Sequence, residues 1–398
     1  MENKTVQQSS PVVPAYAWVI LAIVFLASVC APLNQNKVPP LMPILMDAFQ
    51  LNLSQAGSLM SVFAITGLIL SLPAGFILQR LGPKISGLIA LSSLGFGAVM
   101  GAFAHNLAFL LAGRVIEGIG MGLIAVVAPA TIAMWFPPEK QGIPMGLWAT
   151  WVPLGNVTML LVAPALATAF GWQSVWWVGA GVTLVILVLY GFLVRVPPVK
   201  AEDLEQQHFH LQFKALINRD VWLLGFMFAC TTFTFMGINT FYPTYLSEVR
   251  GYNLQQASQI ASISTGLVLI SAPLAGWLSD KVGSRKLFFT FPYLILALMM
   301  LLPFNITGWQ IYAYLIVLGC LAGAVPTATF AAAPEVIGDP RLSGLALGIV
   351  MFGQNLGMVI GPLVFGGLVE KLGWAQAGYL LIPVLLLGFI LGRMVNIR

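Results

Sequence analysis

Apolar residues dominate the chain in runs of about 20, and short polar stretches separate one run from the next. An α-helix needs a run of this length to cross the hydrocarbon core of a bilayer, so each run predicts a membrane-spanning helix. The pattern predicts an all-α membrane protein with twelve transmembrane helices, which start near Tyr16, Ser54, Ser86, Leu107, Gly142, Trp172, Val221, Gln255, Lys286, Trp309, Leu342 and Ala375.

The second half of the chain repeats landmarks of the first. The loop GFILQRLGPK from Gly75 returns as GWLSDKVGSRK from Gly276, 201 positions later. The pair Gly171 and Trp172 returns in the same way before the last run, as Gly373-Trp374. A repeat of this length in an apolar chain is typical of a transporter built from two related bundles. We therefore predict two pseudo-symmetric bundles of six helices each.

A long polar stretch with charges of both signs lies in the middle of the chain. It lacks an apolar run, so it is interpreted as a linker between the bundles. We predict an N-terminal bundle at 1–196, a cytoplasmic linker at 197–220 and a C-terminal bundle at 221–398.

Composition supports lipid as the main solvent. Charged residues make up 8% of 398 residues, hydrophobic residues 59%, and the mean hydropathy is +0.92. These values exclude an ordinary soluble domain. The net charge of +5 comes from basic residues scattered over short loops, so no nucleic-acid partner is expected. Cys30, Cys230 and Cys320 lack paired spacing, and we predict no disulfide, metal or other cofactor.

The basic residues also predict the orientation. Fourteen of the 18 Lys and Arg fall on the side of the two termini, whereas Arg250 and Lys371 fall on the other. Cytoplasmic loops retain positive charge. We therefore predict a multi-pass protein of the bacterial inner membrane, with both termini in the cytoplasm and lipid around it.

The two repeated loops share an order of glycine, basic residue and glycine. The residues concerned are Gly75, Arg80 and Gly82 in the first copy, and Gly276, Asp280, Lys281 and Arg285 in the second. This order resembles the loop after the second helix of each half in the major facilitator superfamily. The resemblance implies the major facilitator fold, secondary active transport by alternating access, and a gating role for these residues. Gln79 stands where the family has an aspartate, which implies a weaker latch in the first half.

Lys37 lies inside the first predicted helix. A lysine at the centre of a span costs about 2.5 to 3.5 kcal/mol, so it normally faces water or a partner. It follows Asn34 and Asn36, and it precedes Pro39 and Pro40, which should kink or unwind the helix. We predict that Lys37 attracts an anionic substrate group, with both asparagines in the binding site. The alternative is that Lys37 reaches the membrane surface.

Arg114 and Glu117 lie three residues apart in the fourth predicted helix, so their side chains share a face and can form an ion pair. Two roles stay open. Glu117 either carries a coupling proton, with Arg114 released when it is protonated, or the pair is a permanent structural contact. The resemblance places the coupling carboxylate of many anion carriers at the position of Met121, which argues against proton symport.

Aromatic and amide side chains in three other spans are predicted to complete a central cavity. They are Trp148 and Trp151 in the fifth helix, Asn239 and Tyr242 in the seventh, and Gln354 and Asn355 in the eleventh. Each could instead pack in the core or sit in an interfacial belt.

The deep charges sum to +1, which favours a small anion as the transported solute. An aromatic cavity with few charges also suits efflux of drugs or other lipophilic compounds, and this is the main alternative. A channel or a receptor with the same cavity is a further alternative. No HExxH or GxSxG motif occurs in the chain, so we predict no enzyme. We expect it to act as a monomer, with protons as the candidate coupling ion.

Overall fold

The computed structural model describes residues 13–70, 73–137, 140–195, 218–338 and 342–397, without the side chains of Asp280, Ser343 and Gly344. Throughout these ranges the chain forms helices joined by short turns, so the predicted all-α class is confirmed. Eleven helical segments there are long and apolar enough to cross a membrane. The predicted ninth helix, at 15 residues, is shorter than the other spans.

Six helical spans make up the N-terminal half. They are α1 (Ala15–Gln35), α2 (Leu53–Leu70), α3 (Pro73–Ala102), α4 (Leu107–Trp135), α5 (Gly142–Phe170) and α6 (Gln173–Leu193). A turn at Thr150 divides α5 into Gly142–Ala149 and Trp151–Phe170. The non-helical backbone of Gly82, with φ 72° and ψ 169°, likewise breaks α3 into two helices.

Six further spans make up the C-terminal half. They are α7 (Arg219–Glu248), α8 (Leu254–Val282), α9 (Arg285–Met299), α10 (Trp309–Ile337), α11 (Ser343–Leu372) and α12 (Trp374–Met394). The predicted linker at 197–220 lies almost entirely outside the described residues, which resume at Asn218. The domain boundaries therefore stay a prediction.

The first span is broken in its second half, as the sequence predicts. Helix α1 ends at Gln35, a 3₁₀ turn covers Pro39–Leu41, and a short helix continues over Met42–Phe49. Two consecutive prolines lack backbone donors and clash with the preceding turn, so α1 cannot run through them. The break exposes backbone carbonyls at the end of α1.

The repeat in the sequence has a counterpart in the backbone. Gly171 ends α5 with φ 83° and ψ 160°, and Gly373 ends α11 with φ 82° and ψ 167°. A side chain would strain the backbone at this positive φ, so both turns need glycine. A tryptophan follows each glycine and leads into the last span of its half.

Large apolar side chains point outward all around the helices. Phe192 is 78% exposed, Phe170 76% and Trp309 75%. Soluble proteins rarely expose such contiguous apolar surface, whereas a membrane protein places it against lipid.

The two halves meet along a surface that we call the seam. Gly57 of α2 packs against the Pro362 carbonyl of α11, and the Ser54 amide donates to Glu370 Oε1 at 2.9 Å. On a second line of contact, Gln255 Nε2 donates to the Leu161 carbonyl at 3.0 Å. Ser54 lies in the first turn of α2 and Glu370 in the last turn of α11, so the halves touch at the end of the molecule opposite the start of α1. We call it the Ser54 end.

Candidate functional site

The Arg114 side chain caps the broken end of α1. Its guanidinium donates to the carbonyl oxygens of Asn34 at 2.7 Å and Gln35 at 3.1 Å, which the break leaves without helical partners. A third bond, at 3.1 Å, goes to the carbonyl of Leu59 in α2. The Phe63 ring lies 4.4 Å from the guanidinium carbon. One planar cation therefore joins α1, α2 and α4.

Glu117 holds both buried cations of this region. Arg114 Nη1 lies 2.5 Å from Glu117 Oε2, so the ion pair expected from the spacing is present. Glu117 Oε1 accepts a hydrogen bond from Lys37 Nζ, a partner 80 positions away. All three side chains are fully buried. We call Lys37, Arg114 and Glu117 the charged cluster.

The Lys37 ammonium is enclosed by the N-terminal half. It donates to Asn34 Oδ1 at 3.1 Å and lies 4.7 Å from the centre of the Trp176 ring in α6. Asn34 Nδ2 in turn donates to Thr183 Oγ1 at 3.1 Å. A methyl group on Gly179 would lie 2.7 Å from Asn34 Oδ1, so the wall behind these side chains is tightly packed. Lys37 therefore does not reach the membrane surface in this structure.

Removing charges from water is costly, and the cluster offsets the cost through its bonds. A buried cation or anion without a partner costs several kcal/mol. Here each oxygen of Glu117 accepts from one cation, and Arg114 has three backbone acceptors besides. Two cations and one anion leave the cluster with a charge of +1.

A small polar cavity lies at the seam, on the other side of the α1 break. Its volume is about 20 Å³, enough for a water molecule. Both halves contribute to its wall, which consists of Asn36, Pro39, Met60, Asn156, Leu160, Met236, Asn239, Thr240, Ala261 and Thr265. Of the predicted binding residues, Asn36 and Asn239 thus line one cavity.

The polar groups of this seam cavity are incompletely paired. Asn36 Nδ2 donates to the Pro32 carbonyl at 3.2 Å and to Asn156 Oδ1. The Thr240 hydroxyl is buried and has no hydrogen-bond partner among the described residues. An unpaired buried hydroxyl is unfavourable, so this group suits an added ligand or water.

The other predicted binding residues lie in separate places. Trp148 and Trp151 stack across the turn in α5, with ring centres 5.6 Å apart, and Trp148 Nε1 donates to Ser28 Oγ at 2.9 Å. Tyr242 is buried among aromatic rings of the C-terminal half, with Tyr245 stacked 5.9 Å away. Their part in binding stays a prediction.

Gln354 and Asn355 lie in α11 and are half-buried. Asn355 faces the neighbouring half, since a methyl group on Gly67 of α2 would lie 3.8 Å from Asn355 Oδ1. Both amides therefore stay candidates for binding.

The predicted gating residues surround two glycine turns. Gly82 has φ 72° and ψ 169°, whereas its counterpart Gly283 has φ 69° and ψ 20°, so the two share a positive φ but differ in ψ. Lys281 lies over the Trp277 ring at 5.0 Å, and Arg285 Nε pairs with Glu335. The remaining members are less informative: Arg80 is exposed, Gly75 and Gly276 are half-buried, and the side chain of Asp280 lies outside the described residues.

Sequence reasoning missed the amide and hydroxyl groups that complete the seam cavity, namely Asn156, Thr240 and Thr265. Asn156 could have been identified from the sequence, because it is a lone amide in an apolar span. The others were not, because threonine is common in membrane helices and bonds to its own backbone. A metal site is not indicated either, since no group of three His, Cys, Asp or Glu side chains gathers in the described part of the chain.

Comparison with known proteins adds independent evidence on the family of this chain. Residues 24–341 match the model of a protein family described as Major Facilitator Superfamily. A probable sulfoacetate transporter, SauU, from Cupriavidus necator is 25% identical, and the match covers 94% of this chain and 91% of that protein. A nitrite extrusion protein from Bacillus subtilis is 26% identical, and the match covers 82% of this chain and 81% of that protein. The crystal structure of a bacterial homologue of the human lysosomal transporter Spinster superimposes with a TM-score of 0.81 at 15% identity, covering 96% of this chain and 98% of that one.

Proposed function

Because the chain belongs to the major facilitator superfamily, we propose that it carries a small organic or inorganic anion across the membrane by alternating access. It is a multi-pass solute transporter and not an enzyme. The observation that carries the anion assignment is the fully buried charged cluster, which holds two cations and one anion beside the seam cavity. Relatives named for sulfoacetate and nitrite support the same class of solute.

The proposed mechanism is a rocking of one six-helix half against the other about the seam cavity. Contacts between the halves at the Ser54 end close one side of the cavity, and the turns at Gly82 and Gly283 lie at the opposite end. We place the termini in the cytoplasm on the strength of the basic loops. The protein is proposed to act as a monomer in the bacterial inner membrane.

A panel of ligands tests the anion assignment against drug efflux. Purified protein in detergent is heated with sulfoacetate, with nitrite, or with the lipophilic cation tetraphenylphosphonium. We expect at least one of the two anions to raise the thermal unfolding temperature in proportion to the logarithm of its concentration. Stabilisation by the lipophilic cation alone would favour efflux of lipophilic compounds instead.

Coupling to protons through Glu117 needs its own test, because the carboxylate is bonded to two cations and closed off from water. Glu117→Gln is combined with Lys37→Met so that a single buried cation is left. If Glu117 carries the proton, this variant still exchanges the anion in proteoliposome counterflow, but a proton gradient no longer drives accumulation. Accumulation equal to that of the wild type would contradict proton coupling at Glu117.

A further inference from the structure

The charged cluster and the seam cavity lie on opposite sides of the α1 break. Asn36 lines the cavity, while the next residue, Lys37, directs its ammonium into the N-terminal half. From this geometry we propose that the anion binds to neutral amide and hydroxyl groups of the seam cavity, and that the charged cluster attracts it through the wall without touching it. The inference rests on the proposed function and specifies how its site recognises charge.

The cavity wall offers donors that suit an anion. Asn36, Asn156 and Asn239 carry amide N–H groups, and Thr240 and Thr265 carry hydroxyls. The Thr240 hydroxyl is only 1% exposed and is left without a partner by the described residues. Asn36 and Asn156 bond to each other across the N-terminal wall and can exchange this bond for one to a ligand.

Direct contact between the anion and Lys37 is opposed by the packing. Both acceptors that the ammonium bonds, Glu117 Oε1 and Asn34 Oδ1, belong to the protein, and Trp176 covers its remaining side. A methyl group on Gly97 would lie 2.6 Å from Glu117 Cγ. The cluster is therefore enclosed within one half, where rocking of the halves does not open it, whereas the seam cavity, with about 20 Å³ in this structure, lies between the halves and widens as they separate.

The charge of the cluster nevertheless acts at the cavity. Arg114 bonds the carbonyls of Asn34 and Gln35, the two residues that precede Asn36. Neighbouring α-carbons are about 3.8 Å apart, so the cations lie within roughly 10 Å of the cavity. At that distance and an effective dielectric constant of about 20, one unit of charge changes the affinity for a monoanion about tenfold.

The test separates the net charge of the cluster from the identity of Lys37. Lys37→Met lowers the cluster charge from +1 to zero, whereas Lys37→Met with Glu117→Gln restores +1 without the lysine. Affinities for nitrite and for sulfoacetate are measured by ligand titration of thermal unfolding on the full chain. The unfolding temperature of each variant without ligand serves as the check on folding.

For nitrite we expect Lys37→Met to bind about tenfold more weakly than the wild type and the double variant to return to within about threefold. Sulfoacetate carries two negative charges at neutral pH, so its loss in Lys37→Met should be about the square of the nitrite loss, roughly a hundredfold. A lysine that contacts the anion gives a different result, because the double variant would then bind as weakly as Lys37→Met. That result overturns the inference and leaves the proposed function intact.

Thr240→Val tests the cavity itself. The substitution keeps the shape and removes a hydroxyl without a described partner, so we expect unchanged stability and several-fold weaker binding of the anion. Thr234→Val is the matched control in the same helix, since the Thr234 hydroxyl donates to the Cys230 carbonyl at 3.0 Å, away from the seam cavity. Equal affinities in the two variants would overturn the cavity assignment. A wild type that binds neither anion would overturn the proposed function itself.

Discussion

Glu117→Gln is expected to destabilise the protein by about 3 to 5 kcal/mol, because breaking a buried ion pair leaves an uncompensated charge. The amide has one acceptor oxygen, whereas the carboxylate accepts from Lys37 and from Arg114 on separate oxygens. Its NH₂ group would face one of the two cations. The thermal unfolding temperature in detergent should fall by about 5 °C.

The matched variants identify the cause of that loss. Lys37→Met keeps the pair between Arg114 and Glu117 and leaves the cluster neutral, so it should be far milder. In the double variant Arg114 retains its three backbone acceptors, and most of the stability lost in Glu117→Gln should return. Glu117→Gln with an unchanged unfolding temperature would show that water reaches this carboxylate in the folded protein.

The sequence predicts the parts of this cluster that depend on local spacing. Arg114 and Glu117 are three residues apart on one helix, so their pairing follows from helix geometry alone. The break in α1 follows in the same way from Pro39 and Pro40. These features need no knowledge of how the helices pack.

Other parts depend on packing that no local pattern reveals. Lys37 and Glu117 are 80 positions apart, so the pairing that the structure shows between them was not predicted from the sequence. Tyr242 follows Asn239 by three residues, which places the two about 60° apart around α7. That difference is enough for Asn239 to line the seam while Tyr242 packs inside the C-terminal half.

The repeat predicts the fold better than it predicts the site. Gly171 and Gly373 adopt nearly the same backbone geometry because both halves need the same turn. Lys37, Arg114 and Glu117 have no charged counterparts in the second half. Symmetry therefore predicts the scaffold, whereas the charged cluster is a departure from symmetry that the repeat cannot predict.

Gly57→Ala is expected to prevent closure of the Ser54 end and to reduce transport at least about fivefold. A methyl group there would lie 2.5 Å from the Pro362 carbonyl oxygen of the other half, and backbone cannot swing aside as a flexible side chain can. Overpacking of this kind costs about 1 to 3 kcal/mol. The cost falls on the conformation in which α2 touches α11, so the ratio of closed to open protein should drop about fivefold to 150-fold.

Counterflow in proteoliposomes measures the loss of transport. A second experiment measures the opening of the Ser54 end. It labels Ser54→Cys with a membrane-impermeant maleimide in a protein that also carries Cys320→Ser. Gly67→Ala is the matched control on the same helix, because its methyl group would lie 3.8 Å from Asn355 Oδ1, an ordinary contact. Alanine favours helix over glycine at both positions, so helix propensity cannot explain a difference between them. If both variants transport alike, the close approach of Gly57 to Pro362 is a packing detail and the closure of this end is not part of the transport cycle.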